Sequence, residues 1–129
     1  TPEELYGPND PWPSFAVADL SFISLRIVLP VIKSLLLPDN PQALLLVKPQ
    51  FEVGRARVGK GGVVRDPAAH VEALESVINS AALQKLEPQA LVASPITGPA
   101  GNHEYLLLLG LDRGNQLPDL KSLVSKTLN

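Results

Sequence analysis

The sequence predicts an α/β fold: a four-stranded sheet, mostly parallel with a final antiparallel strand, and helices on its faces. Three observations carry this. Short apolar runs at residues 15–18, 43–47, 89–93 and 105–111 have the length and composition of strands. Two segments between them, residues 25–37 and 66–86, repeat their apolar residues at helical spacing, and strands linked through helices are expected to be parallel with right-handed crossovers. No helical pattern separates the third run from the fourth, so the last strand is expected to run antiparallel to its partner.

Residues 1–14 are polar and rich in proline (Pro2, Pro8, Pro11, Pro13) and read as an inter-element loop ahead of a single domain part, 15–129. The run Phe15-Ala16-Val17-Ala18 is closed by Asp19. Ser24 is the candidate N-cap of the first helix, whose apolar face is Leu25, Val28, Leu29, Ile32, Leu35 and Leu36. Pro30 removes one of its hydrogen bonds, which predicts a kink or a late start. Pro38-Asp39-Asn40-Pro41 stops it. The next strand is apolar without alternation, as expected of burial on both faces, and it runs straight into Lys48 before Pro49 ends it. A loop with Gly54, Gly59, Gly61 and Gly62 follows. Asp66-Pro67 supplies an N-cap and a first-turn proline for the second helix, which should end near Leu86, ahead of Pro88. A wide loop, 94–103, leads to the fourth strand, and 118–128 has a weak helical pattern.

Composition narrows the function classes. The chain of 129 residues begins at Thr1 and has no methionine, so a processed chain or a piece of a longer one is expected. Without cysteine there is no disulfide framework, thiolate metal site or cysteine nucleophile. No apolar run approaches the roughly 18 residues of a membrane span, and no signal-peptide pattern is present, so a cytoplasmic location is expected. A net charge of −2 argues against a dedicated nucleic-acid module. Between Lys48 and Arg65, however, five cations (Lys48, Arg55, Arg57, Lys60, Arg65) face Glu52 alone. Such a loop is either a phosphate-holding surface or simply a solvated one.

Polar residues recur where strands end or begin, at Asp19, Lys48 and Glu104. With two parallel strands and an antiparallel last one, these three share one edge of the sheet, where open α/β sheets bind ligands. Two carboxylates around an ammonium suit proton transfer, although strand ends are polar in sheets that bind nothing. Other motifs fail. Gly54 to Lys60 matches the first seven positions of a P-loop, but Gly61 stands where a magnesium-binding Ser or Thr is required. His70 and His103 lack carboxylates at metal-ligand spacing, so no metal site is expected. Trp12, between two prolines, is a base platform or a packing residue.

Three stretches in this order and spacing, Asp19-Leu20-Ser21-Phe22-Ile23-Ser24-Leu25, Val47-Lys48-Pro49-Gln50-Phe51-Glu52-Val53-Gly54, and the loop from Ser94 through Gly98 and Asn102-His103 to Glu104-Tyr105, resemble the hemolysin A-like (TlyA) ribosomal RNA 2′-O-methyltransferases, relatives of the FtsJ-type enzymes. The resemblance spans about Phe15 to Leu111. It implies a partial Rossmann-like methyltransferase sheet, its last four strands, and use of S-adenosylmethionine with a Lys-Asp-Lys-Glu tetrad. Asp19, Lys48 and Glu104 correspond to three of the four. Asp19 and Leu20 would touch the cofactor, while Arg55, Arg57 and Lys60 would grip RNA. The first lysine, the glycine-rich cofactor loop and the acidic ribose contact have no counterpart. The cofactor would therefore be bound mainly by a missing N-terminal half, and the fragment alone should be inactive. Ribosomal RNA or ribosomal subunits are the implied partners, with no membrane. The strand at Phe15–Ala18 would be left with an open edge, which points to a homodimer or domain-swapped dimer. The alternatives are a non-catalytic RNA- or ribosome-binding module and a membrane-active hemolysin. Against the latter, no helical segment combines a basic face with a strongly apolar one.

Overall fold

In the computed structural model, which describes residues 1–112, 114 and 116–129, the apolar runs form four strands: β1 (Phe15–Ala18), β2 (Gln42–Val47), β3 (Glu87–Ala93) and β4 (Tyr105–Gly110). Between and after them lie α2 (Leu25–Leu35), α3 (Pro67–Leu83) and α4 (Leu120–Leu128), and a single helical turn, α1 (Pro2–Leu5), precedes β1 where no periodicity predicts one. Ser24 and Asp66 cap α2 and α3 through side-chain oxygens that accept from Arg26 N–H and Ala68 N–H. Helix α2 starts at Leu25 despite Pro30, which falls on its exposed side. Trp12 packs on Tyr6, ring centroids 5.6 Å apart.

The expected mostly parallel sheet is not what forms. The strand order is β1-β2-β4-β3, with one parallel ladder, β1 to β2, and two antiparallel ladders, β2 to β4 and β4 to β3. The cause is the insertion of β4. Its Leu106-Leu107-Leu108-Leu109 run alternates buried and half-buried residues as the Leu44-Leu45-Leu46 run of β2 does, and these two are the central strands. β3 carries Pro88, which cannot donate to a ladder, and its register slips between Pro88 and Ala90; both features suit an edge.

Nor, among the described residues, do helices pack on both faces. Ala43, Leu45 and Val47 of β2 pair with Leu109, Leu107 and Tyr105 of β4, and these share one core with Leu25 and Leu29 of α2, Leu74, Val77 and Ala81 of α3, and Val124 of α4. All three helices therefore lie on one side. The other side carries Phe15, Val17, Leu44, Leu46, Leu106, Leu108 and Val92, of which Phe15, Val17 and Val92 are exposed.

One buried polar pair anchors the core to the basic loop. His70 lies fully buried between Val64 O, 2.8 Å from Nε2, and the Tyr105 hydroxyl, 2.9 Å from Nδ1. A carbonyl only accepts, so Nε2 carries the proton and Nδ1 accepts from Tyr105. Burial pushes the imidazole below its ordinary pKa, and it pushes the Tyr105 phenol up to about 12.

Candidate active site

Pro49 terminates β2 and turns the chain into three short 3₁₀ turns, Pro49–Phe51, Arg55–Arg57 and Lys60–Gly62. The first is held by Glu52, whose side chain is 1 % exposed. Its carboxylate accepts from Ser24 Oγ at 2.6 Å and from Leu25 N–H at 2.7 Å, placing negative charge on the amino end of α2. The turn after β2 is thereby tied to the amino end of α2. Burial raises the Glu52 pKa, opposed by the Ser24 hydroxyl, the Leu25 amide and the Arg26 guanidinium. A folded-state pKa above the unfolded one means that the fold binds this proton more tightly, so stability falls as pH rises from about 4.5 through the raised value. Urea midpoints should show that decline in the wild type and a flatter profile in Glu52→Gln. Glu52→Ala, which strands the Leu25 amide, should lose about 1–3 kcal/mol. Equal pH slopes in wild type and Glu52→Gln would show that this carboxylate does not set them.

Lys48 and Asp19 come together as an ion pair. Lys48 Nζ lies 2.7 Å from Asp19 Oδ1 and 3.3 Å from Ser21 Oγ; the lysine side chain is 13 % exposed and the aspartate 63 %. Glu104 is buried at the start of β4 and accepts from Gln50 Nε2 at 3.1 Å. Gly98 makes room for it, since a Cβ there would fall 2.7 Å from Glu104 Oε2. Lys48 and Glu104 line one cleft of about 450 Å³ together with Ser21, Gln50 and Phe51, but no ion pair joins them among the described residues. Leu20 is exposed beside Asp19.

The cations of the basic loop differ in their pairing and exposure. Arg57 is ion-paired with Asp66 and with Glu72, and so is turned toward α3. Arg55 and Lys60 are exposed and have no ion pair among the described residues. Asn102 staples the loop: Nδ2 donates to Gly62 O at 2.8 Å, and Oδ1 accepts from Val64 N–H at 2.9 Å. Phe22 holds a left-handed backbone, φ 64°, with its ring 90 % exposed and 5.1 Å from that of Phe51. A bulky residue held in that region is strained, and such strain gathers at functional sites. The sequence reading left out Gln50, Asn102 and Phe22 as site residues, although all three stand inside the quoted motifs.

A sequence profile of the FtsJ-like methyltransferases matches residues 3–111. The chain belongs to that family. "Putative rRNA methyltransferase YqxC" of Bacillus subtilis is 47% identical over 111 residues, covering 83% of this chain and 39% of the relative. "16S/23S rRNA (cytidine-2'-O)-methyltransferase TlyA" of Mycobacterium tuberculosis is 40% identical over 131 residues, covering 100% of this chain and 47% of the relative. The crystal structure of "a putative hemolysin from Lactococcus lactis" superposes with a TM-score of 0.80 at 38% identity, over 90% of this chain and 56% of that one. This FtsJ-like chain thus spans less than half the length of those curated relatives. Among its described residues no helix is long and apolar enough to cross a membrane.

Proposed function

We propose that this chain forms part of the catalytic domain of an S-adenosylmethionine-dependent ribosomal RNA 2′-O-methyltransferase. The observation that carries the proposal is the Lys48–Asp19 ion pair at the carboxyl ends of β2 and β1, beside a cleft lined also by Glu104, in a chain of this family. The exposed residues suit a cationic cofactor bearing an ammonium group. Asp19 engages Lys48 through Oδ1 and remains 63 % exposed, so its carboxylate can take a second cation, with Leu20 as an apolar neighbour. When bound, S-adenosylmethionine supplies an electrophilic methyl group.

A ribose hydroxyl is a weak nucleophile, so its proton must be steered or removed as the oxygen gains the methyl. As the ammonium of the Asp19 ion pair, also held by Ser21, Lys48 Nζ steers the hydroxyl, whose proton leaves to solvent; it takes that proton itself only after first releasing one of its own. Asp19 and Glu104 fix the geometry, the latter across the cleft. Arg55 and Lys60 contact RNA phosphates, and Arg57 shapes the loop that presents them.

The test is transfer of labelled methyl from S-adenosylmethionine to ribosomal RNA by the full-length gene product, with digestion to nucleosides. Label in 2′-O-methylnucleosides is expected; label confined to bases, or none, overturns the proposal. In the same protein, Arg55→Ala with Lys60→Ala should weaken RNA binding. It should also reduce the slope of log affinity against log salt by about 1.4–1.8, the loss of two phosphate contacts. An unchanged slope would remove this loop from the RNA surface.

A further inference from the structure

One polar group in the cleft has no part in that chemistry. Gln50 lines the wall shared by Lys48 and Glu104. Its Nε2 donates to Glu104, whereas its Oε1 is buried with no hydrogen-bond partner among the described residues. The amide cannot be turned over, because its oxygen would then face a carboxylate oxygen, acceptor against acceptor. Glu104 is fixed in turn: its backbone O accepts from Ser94 N–H at 2.8 Å, and its carboxylate fills the space left by Gly98. Glu104 therefore orients the Gln50 amide before any ligand arrives, and a donor in the cleft reaches Oε1 by displacing the side chains that cover it in the free chain. Buried acceptors without partners are rare in folded chains, and one on a cleft wall calls for a donor from outside.

We propose that Gln50 is a specificity-determining residue whose Oε1 accepts a hydrogen bond from an N–H or O–H donor of a nucleotide seated in the cleft. The donor is either the exocyclic amine of the base or a ribose hydroxyl. Phe51 and Pro99 supply apolar wall beside it, and about 450 Å³ accommodates a nucleoside. The choice of ligand class rests on the methyltransferase proposal; the orphaned acceptor does not. An acceptor that is already buried and unpaired in the free chain gains a hydrogen bond only from a ligand with the matching donor, so the site favours that ligand over an analogue lacking it.

The experiment titrates the full-length protein and its Gln50→Met variant with cytidine, uridine and 2′-deoxycytidine. Wild type should bind cytidine about tenfold or more tightly than the analogue that lacks the donor being read. That analogue is uridine if Gln50 reads the amine, and 2′-deoxycytidine if it reads the hydroxyl. The variant should bind all three within about twofold of one another, as expected once the acceptor is gone. Gln50→Leu gives the same readout should the thioether variant fold poorly. A variant that keeps the wild-type preference, or a wild type that binds the three alike, overturns the proposal. RNA methylation by the wild type separates the two ideas. A preference lost in Gln50→Met, with no methyl transfer by wild type, leaves Gln50 standing and removes the methyltransferase. Methylation with the preference intact in Gln50→Met does the reverse.

Discussion

Replacing Lys48 by Ala in the full-length protein is expected to slow methyl transfer to RNA by about 10²- to 10⁴-fold, the usual contribution of a positioned proton-transfer group. The loss should appear in kcat, with RNA affinity nearly unchanged, because Lys48 Nζ faces Asp19 and Ser21 inside the site and not the exposed Arg55 and Lys60. Folding should survive. The partner carboxylate is largely exposed, and ion pairs of that kind contribute about 0–1 kcal/mol, so the thermal midpoint of the variant should stay close to that of wild type. Lys48→Arg should not rescue activity. A guanidinium is broader and longer than an ammonium, and a side chain only 13 % exposed with a contact at 2.7 Å leaves little room for it. Asp19→Asn should cost less than Lys48→Ala, since the amide still accepts from Nζ but no longer balances its charge. A Lys48→Ala rate within about threefold of wild type, far below the range for such groups, would remove Lys48 from the chemistry.

The Lys48–Asp19 pair and the nearby Glu104 stand at boundaries that the sequence marks plainly. An apolar run ends at Asp19, another at Lys48, and a third begins just after Glu104. What pattern alone does not reveal is the neighbour of each strand. The leucines of β4 match burial on both sides equally well at the end of a sheet's order or in its middle, and periodicity does not separate those cases. Pro88 held the missing clue, since a strand with proline belongs at an edge, which leaves β4 as the strand between β2 and β3. The uncovered face was illegible for a related reason. Apolar alternation says which residues want burial, not which partner supplies it. A local count of cations also does not register that Arg57 pairs with Asp66 and Glu72 farther along the chain.

The uncovered face leads to the second large effect. On the side of the sheet away from α2, α3 and α4, Phe15 and Val17 of β1 continue through Leu44 and Leu46 of β2 and Leu106 and Leu108 of β4 to Val92 of β3. β1 is also an edge strand, with Val17 69 % exposed. Contiguous apolar surface of this kind marks an interaction surface, and an edge beside it offers unpaired backbone donors and acceptors to another strand. The 129-residue chain by itself should therefore self-associate, as a dimer or larger species whose mass by light scattering grows with concentration, and it should bind a fluorescent apolar dye. Val17→Lys places a charge on both features at once, on the exposed face and on the edge, in the manner by which natural edge strands are kept from pairing. Because Val17 lies outside the buried core, the substitution should change stability by less than about 0.5 kcal/mol while shifting the mass toward monomer. In a chain as long as its relatives, the same face has further residues available to cover it, and Val17→Lys should there lower stability by burying an unpaired ammonium. A monomeric 129-residue wild type at high concentration, with no dye binding, would show that this face needs no cover.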